Sequence, residues 1–136
     1  MAGTCPAEFI ELAERMAAAS GAVIRDHFRT PFTVDQKPDA TPVTIADREA
    51  ERVMRELITE AYPNHGILGE EHGSAALDAE CVWVLDPIDG TSAFATGVTM
   101  FGVLIALAID GKFVLGIIDQ PINDERWRAA AGSACR

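Results

Sequence analysis

Apolar residues recur at helical spacing twice in the first half of the chain, then give way to short unbroken apolar runs. Over residues 7–28, Phe9, Ala13, Met16, Ser20, Val23, Ile24 and Phe28 share one face of a 3.6-residue period, which predicts an amphipathic helix. Gly21 lies inside it. A mid-helix glycine is less favourable than alanine by about 1 kcal/mol, and a close helix contact would offset that. Residues 30–43 (TPFTVDQKPDATPV) hold three prolines and no period, the pattern of a loop or a short edge hairpin. A second helix is predicted from Thr44 to Tyr62, with Ala46, Ala50, Val53, Met54, Leu57, Ile58 and Ala61 as its apolar stripe. Thr44 followed by Asp47 resembles a capping box, and Pro63-Asn64 ends the helix.

Beyond Asn64 the pattern is that of strands. Gly66-Ile67-Leu68-Gly69 leads into Glu70-Glu71, and Cys81-Val82-Trp83-Val84-Leu85 leads into Asp86. Residues 100–109 and 113–119 are two further apolar runs, and Asp110-Gly111 between them is a hairpin turn signal. Neither run alternates with polar residues, so both strands are expected to be buried on both faces. The tail from Arg126 to Arg136 (RWRAAAGSACR) shows no strand or helix partner. The predicted fold is α+β: two N-terminal helices packed on a mostly antiparallel sheet, forming one domain over residues 1–136.

Composition narrows the function. Hydrophobic residues make up 49% and charged residues 24%, as in ordinary soluble domains. No apolar stretch is long enough for a membrane helix, and the N-terminus does not read as a signal peptide, so a cytoplasmic location is expected. A net charge of −10 argues against nucleic acid as partner, because that interaction relies on Lys and Arg neutralising phosphates. It also opposes an anionic substrate, unless a bound cation reverses the local field. Three cysteines without CxxC spacing argue against a zinc or disulfide framework. His27, His65 and His72 match no ligand motif and read as structural or exposed.

The acids are where the chemistry concentrates. Asp86 and Asp89 follow one apolar strand; Glu70 and Glu71 follow another. Neighbouring strand ends would gather these carboxylates, whose mutual repulsion a hard cation such as Mg²⁺ would relieve. Pro87 fixes φ and lacks an N–H, so the strand is expected to stop there and turn. The two aspartates then face one ion, with the Ile88 carbonyl within reach. Gly90-Thr91-Ser92 follows, and successive N–H groups at a helical turn form an anion cradle. A DG pair after a strand is ordinarily just a turn, and a Glu-Glu pair ordinarily just surface. It is their combination at strand ends that points to phosphate-ester chemistry. Spacing alone reads Asp47 as a helix N-terminal residue favoured by the macrodipole, rather than as a base acting with Thr91.

The segment VWVLDPIDGTSAF resembles the signature of the inositol monophosphatase family, Mg²⁺-dependent and lithium-sensitive phosphatases. Lys37, TPVTIADREAE, GILGEEHG and LDPIDGT occur in the family's order, and the likeness runs from about residue 7 to about residue 127. The stretch after Gly90, notably Ala93-Phe94, Ile118-Asp119-Gln120-Pro121 and Glu125-Arg126-Trp127, is most similar to the histidinol-phosphatase branch. The resemblance implies that Glu70, Asp86, Asp89 and the Ile88 carbonyl bind metal. It implies that Gly90, Thr91 and Ser92 bind phosphate, and that Asp47 and Thr91, with Glu70, serve catalysis by orienting the attacking water. Glu71 and Lys37 would support them. The implied reaction is Mg²⁺-dependent hydrolysis of a small phosphorylated metabolite, histidinol phosphate first and inositol phosphate second. Family members also carry a C-terminal α/β domain whose Trp-Asp motif supplies a further metal ligand. This chain lacks that half, so the expectation includes impaired activity, a non-catalytic metal-binding fragment, and a homo-oligomer held by exposed apolar sheet. The haloacid-dehalogenase pattern DxDGT is a poorer match, since two residues, Pro87 and Ile88, separate the aspartates here.

Overall fold

Helix α1 spans Ala7–His27, and its buried positions Phe9, Leu12, Ala13, Met16, Ala17, Ser20, Gly21 and Ile24 keep the predicted helical spacing. The computed structural model describes residues 4–29 and 44–132. Lys37 and the Pro-rich segment around it therefore lie outside the described residues. A β-carbon at Gly21 would come within 3.2 Å of the Pro121 side chain, so the close contact at this glycine is with the far end of the sheet and not with a second helix. Arg25 adds a hydrogen bond to the Pro121 carbonyl at 3.2 Å. Helix α2 runs over Thr44–Ala61 and lies against α1.

The strands are β1 (Gly66–Gly69), β2 (Ser74–Ala75), β3 (Cys81–Asp89), β4 (Gly102–Ile109), β5 (Lys112–Gln120) and β6 (Glu125–Ala130), with a short helix α3 (Thr91–Ala95) between β3 and β4. They form one sheet in the order β2-β1-β3-β4-β5-β6. Only β1 and β3 pair parallel; every other neighbour is antiparallel. The β4–β5 hairpin turns on Asp110 and Gly111, both at positive φ (50° and 79°) as a two-residue primed turn requires.

Three expectations are corrected. First, β3 does not stop at Pro87. It continues to Asp89 through a register irregularity between Asp86 and Asp89, where a residue without an N–H is tolerated. Second, Glu125–Ala130, expected to be unpartnered, forms β6 along the edge of β5. Its anchors are ionic rather than apolar. Arg126 pairs with Asp119 (2.8 Å) and Glu14 of α1 (2.7 Å), and Arg128 pairs with the same Glu14 (3.1 Å).

Third, the described residues cover the sheet on one face only. Burial alternates along β3 and β4 despite their unbroken apolar sequence. Trp83, Leu85, Val103, Ile105, Leu107, Leu115 and Ile117 point into the core beneath the helices. Trp83 also donates to His65 Nδ1 at 3.0 Å, and His65 stacks on Tyr62, so this histidine is structural. On the opposite face Leu68, Phe113, Ile118 and Trp127 are exposed, bordering a trough of about 760 Å³ that reaches Glu70 and Asp86. Among the described residues no helix is long and apolar enough to cross a membrane.

Candidate functional site

The single parallel pair in the sheet places the acids. Gly69 of β1 stands opposite Leu85 of β3, so the chains run side by side into Glu70 and Asp86. The first turn of α2 delivers Asp47 to the same end. Glu71, Asp86 and Glu70 are near enough to act on Asp47, and Glu70 and Asp89 to act on Asp86. Burial raises the Asp47 carboxyl to about 8, reinforced by Glu71, Asp86, Glu70 and Glu51. Burial likewise raises Asp86 to about 6, reinforced by Glu70 and Asp89 and opposed by a hydrogen bond from the Ile88 backbone. Asp47 is therefore not merely a helix-terminal surface acid: it is buried.

Asp86 Oδ1 is buried and has no hydrogen-bond partner. Such an oxygen is costly unless something else satisfies it. Glu70, Glu71 and Asp89 are exposed around it, so buried Asp47 and half-buried Asp86 form the base and these three the rim. Among the described residues no three His, Cys, Asp or Glu side chains are already disposed to hold a metal ion. The donor chemistry nonetheless fits a hard divalent cation: several carboxylates, one orphaned oxygen, and repulsion that a positive charge would remove.

Gly90 has φ of 96°, and a β-carbon there would lie 2.8 Å from the Met100 carbonyl oxygen. Glycine is thus required both by conformation and by space. It turns the chain from β3 into α3, setting Thr91 and Ser92 in the exposed first turn. The Ile88 side chain is buried beneath. The histidine rings bond elsewhere, His27 to the Val23 carbonyl, His65 to the Trp83 indole and His72 to the Arg48 carbonyl.

Glu51 was not among the acids the motifs single out. It is fully buried and accepts N–H groups of Glu71 and His72. A signal existed: Asp47, Ala50, Glu51, Met54 and Ile58 share the buried face of α2, so two acids interrupt an apolar stripe.

An α+β sheet with a carboxylate-lined end, an unsatisfied buried carboxylate oxygen and a glycine turn into a short helix is the frame of a cation-assisted anion-binding protein. Comparison with known proteins is more specific. Residues 6–136 match the model of the inositol monophosphatase family, and the chain belongs to that family, whose members are metal-dependent phosphatases. It is similar to the bifunctional phosphatase IMPL2, chloroplastic, of Arabidopsis thaliana, with 51% identity over 88% of this chain and 35% of the relative. It is also similar to histidinol-phosphatase of Chlorobaculum parvum, with 40% identity over 91% of this chain and 48% of the relative. Among solved structures, an inositol monophosphatase from Zymomonas mobilis superposes with a TM-score of 0.83 at 48% identity, over 95% of this chain and 49% of that one. The chain thus spans half or less of these relatives' lengths.

Proposed function

We propose that this chain carries the metal- and phosphate-binding half of a Mg²⁺-dependent phosphomonoesterase acting on a small phosphorylated metabolite, with histidinol phosphate the preferred substrate. The observation that carries the reading is Asp86: a half-buried carboxylate with one buried, unpartnered oxygen, set among Glu70, Asp89 and Asp47. The choice of histidinol phosphate leans on the relative named histidinol-phosphatase.

Glu70, Asp86, Asp89 and the Ile88 carbonyl would hold Mg²⁺. When bound, the cation supplies Lewis-acid charge at phosphoryl oxygens and lowers the pKa of water. Gly90, Thr91 and Ser92 bind the phosphate through backbone N–H groups and hydroxyls, using the turn that Gly90 makes possible. Asp47, with Thr91, orients the attacking water and receives its proton. Glu71 and Lys37 would be supporting residues.

The test is Mg²⁺-dependent phosphate release from histidinol phosphate and from inositol phosphate, by this chain and by Asp89→Asn. Release from histidinol phosphate by the parent, falling by about 100-fold or more in Asp89→Asn, is the expected result. Equal activity in Asp89→Asn would overturn the site. Calorimetric Mg²⁺ binding with no release from either substrate would mean that this chain binds the cation without turnover.

A further inference from the structure

Glu51 sits one helical turn beyond Asp47, and its side chain has no solvent exposure. Three groups converge on its carboxylate. The Glu71 N–H donates to Oε1 at 3.0 Å, the His72 N–H donates to Oε2 at 2.8 Å, and Arg55 Nε donates to Oε2 at 3.0 Å. The space for this carboxylate is made by Gly69. A β-carbon there would lie 2.6 Å from the Glu51 carboxyl carbon, although Gly69 has an ordinary backbone conformation. Glu51 and Gly69 are therefore one device, a buried anion and the gap that admits it.

The device acts on the turn that carries Glu70. Gly69 N–H donates to the Gly73 carbonyl at 3.1 Å, and Arg55 donates to the same carbonyl, so the turn closes over Glu51. Were Glu71 and His72 to swing away, a fully buried carboxylate would lose two of its three partners, which is strongly unfavourable. Glu70 leaves β1 directly beside Asp86, and its direction follows from where Glu71 and His72 are pinned. Glu51 meets the rim only through the Glu71 backbone N–H, and its charge also bears on Asp47 and Asp86.

We infer that Glu51 is a positioning residue: by capping the Glu70–His72 turn from the buried face of α2 it sets the divalent-cation affinity of the acidic strand end. This rests on the reading of that strand end as a metal site. Exposed glutamates of α2 such as Glu56, paired with Arg52 at the surface, have no such role.

Two variants of the full chain test it. Glu51→Gln keeps the volume but turns an N–H donor toward donors. Gly69→Ala leaves Glu51 in place and displaces its carboxylate. Magnesium affinity by calorimetry and residue-resolved amide exchange by NMR are measured for both, with Glu56→Gln as control. The expected result is Mg²⁺ affinity weakened about tenfold or more in both variants, with Glu71 and His72 amides exchanging faster while those of β3 and β4 keep their parent rates. Unchanged Mg²⁺ affinity with faster turn amides would overturn the inference. So would faster exchange throughout the chain, which marks general destabilisation. If the parent binds no Mg²⁺ yet Glu51→Gln still frees the turn amides, the metal reading has failed while the anchoring of the turn stands.

Discussion

Asp47 and Asp86 meet the same difficulty at the scale of single residues: each is a carboxyl removed from water and surrounded by other carboxyls. Their folded-state pKa values, about 8 and about 6, lie above the usual 3.8. A group whose pKa rises on folding binds more protons in the folded state between the two values. Its contribution to stability is complete below pH ~3.8 and is lost as pH rises through the folded value. In EDTA, the difference in urea midpoint between Asp47→Asn and the parent should therefore grow in favour of the variant from pH 4 to pH 8. Asp86→Asn should show the same growth, levelling off above pH ~6. Added Mg²⁺ should shrink both differences, because a cation favours the charged carboxylates. A midpoint difference that stays constant with pH in EDTA would contradict the burial and crowding ascribed to these two acids. Sequence spacing could not reveal this for Asp47. A first-turn aspartate is ordinary on electrostatic grounds, and only the resemblance promoted it.

At the scale of elements, the helical period and the Asp110-Gly111 turn were legible because each depends on local geometry alone. α1 and α2 end within a residue of where the pattern places them. β6 was not legible. Its inward-facing holds are Arg126 and Arg128 reaching Asp119 and Glu14, and no apolar pattern announces an edge strand tethered by ion pairs. The end of β3 was misread for a related reason: proline forbids a ladder bond but not a bulge, and whether a bulge follows depends on the partner strand. The candidate site was largely visible in the sequence as acids at strand ends, since the parallel β1–β3 pair brings them together. Glu51 was harder to read, since two of its three partners are backbone N–H groups and its signal is only an acid on the apolar face of α2. The β3-to-α3 turn offers its own prediction. Gly90→Ala must place a β-carbon 2.8 Å from the Met100 carbonyl at a φ of 96°. Thermal or urea unfolding should show a loss of about 1–3 kcal/mol, while Gly111→Ala, with no atom within 4 Å of its added carbon, should lose less.

For the whole molecule, the open face of the sheet governs behaviour in solution. The central strands are apolar on both sides, yet the helices cover only one, leaving Ile118 and Trp127 more than half exposed and Phe113 more so. Ile118 and Trp127 are cross-strand neighbours, so they make a contiguous patch rather than scattered singles. Apolar patches of this kind drive association, and the charge of −10 per chain opposes it through repulsion that salt screens. Sedimentation velocity should therefore show self-association that rises with protein concentration and with ionic strength. A surface ion-pair contact would do the reverse, weakening as salt is added. Replacing Ile118 and Trp127 by Lys should restore a single slow-sedimenting species while leaving the far-ultraviolet dichroism unchanged, because both side chains point away from the helix-covered core. Association that persists in the double variant would place the contact elsewhere, and an unfolded double variant would mean that the open face is part of the core after all.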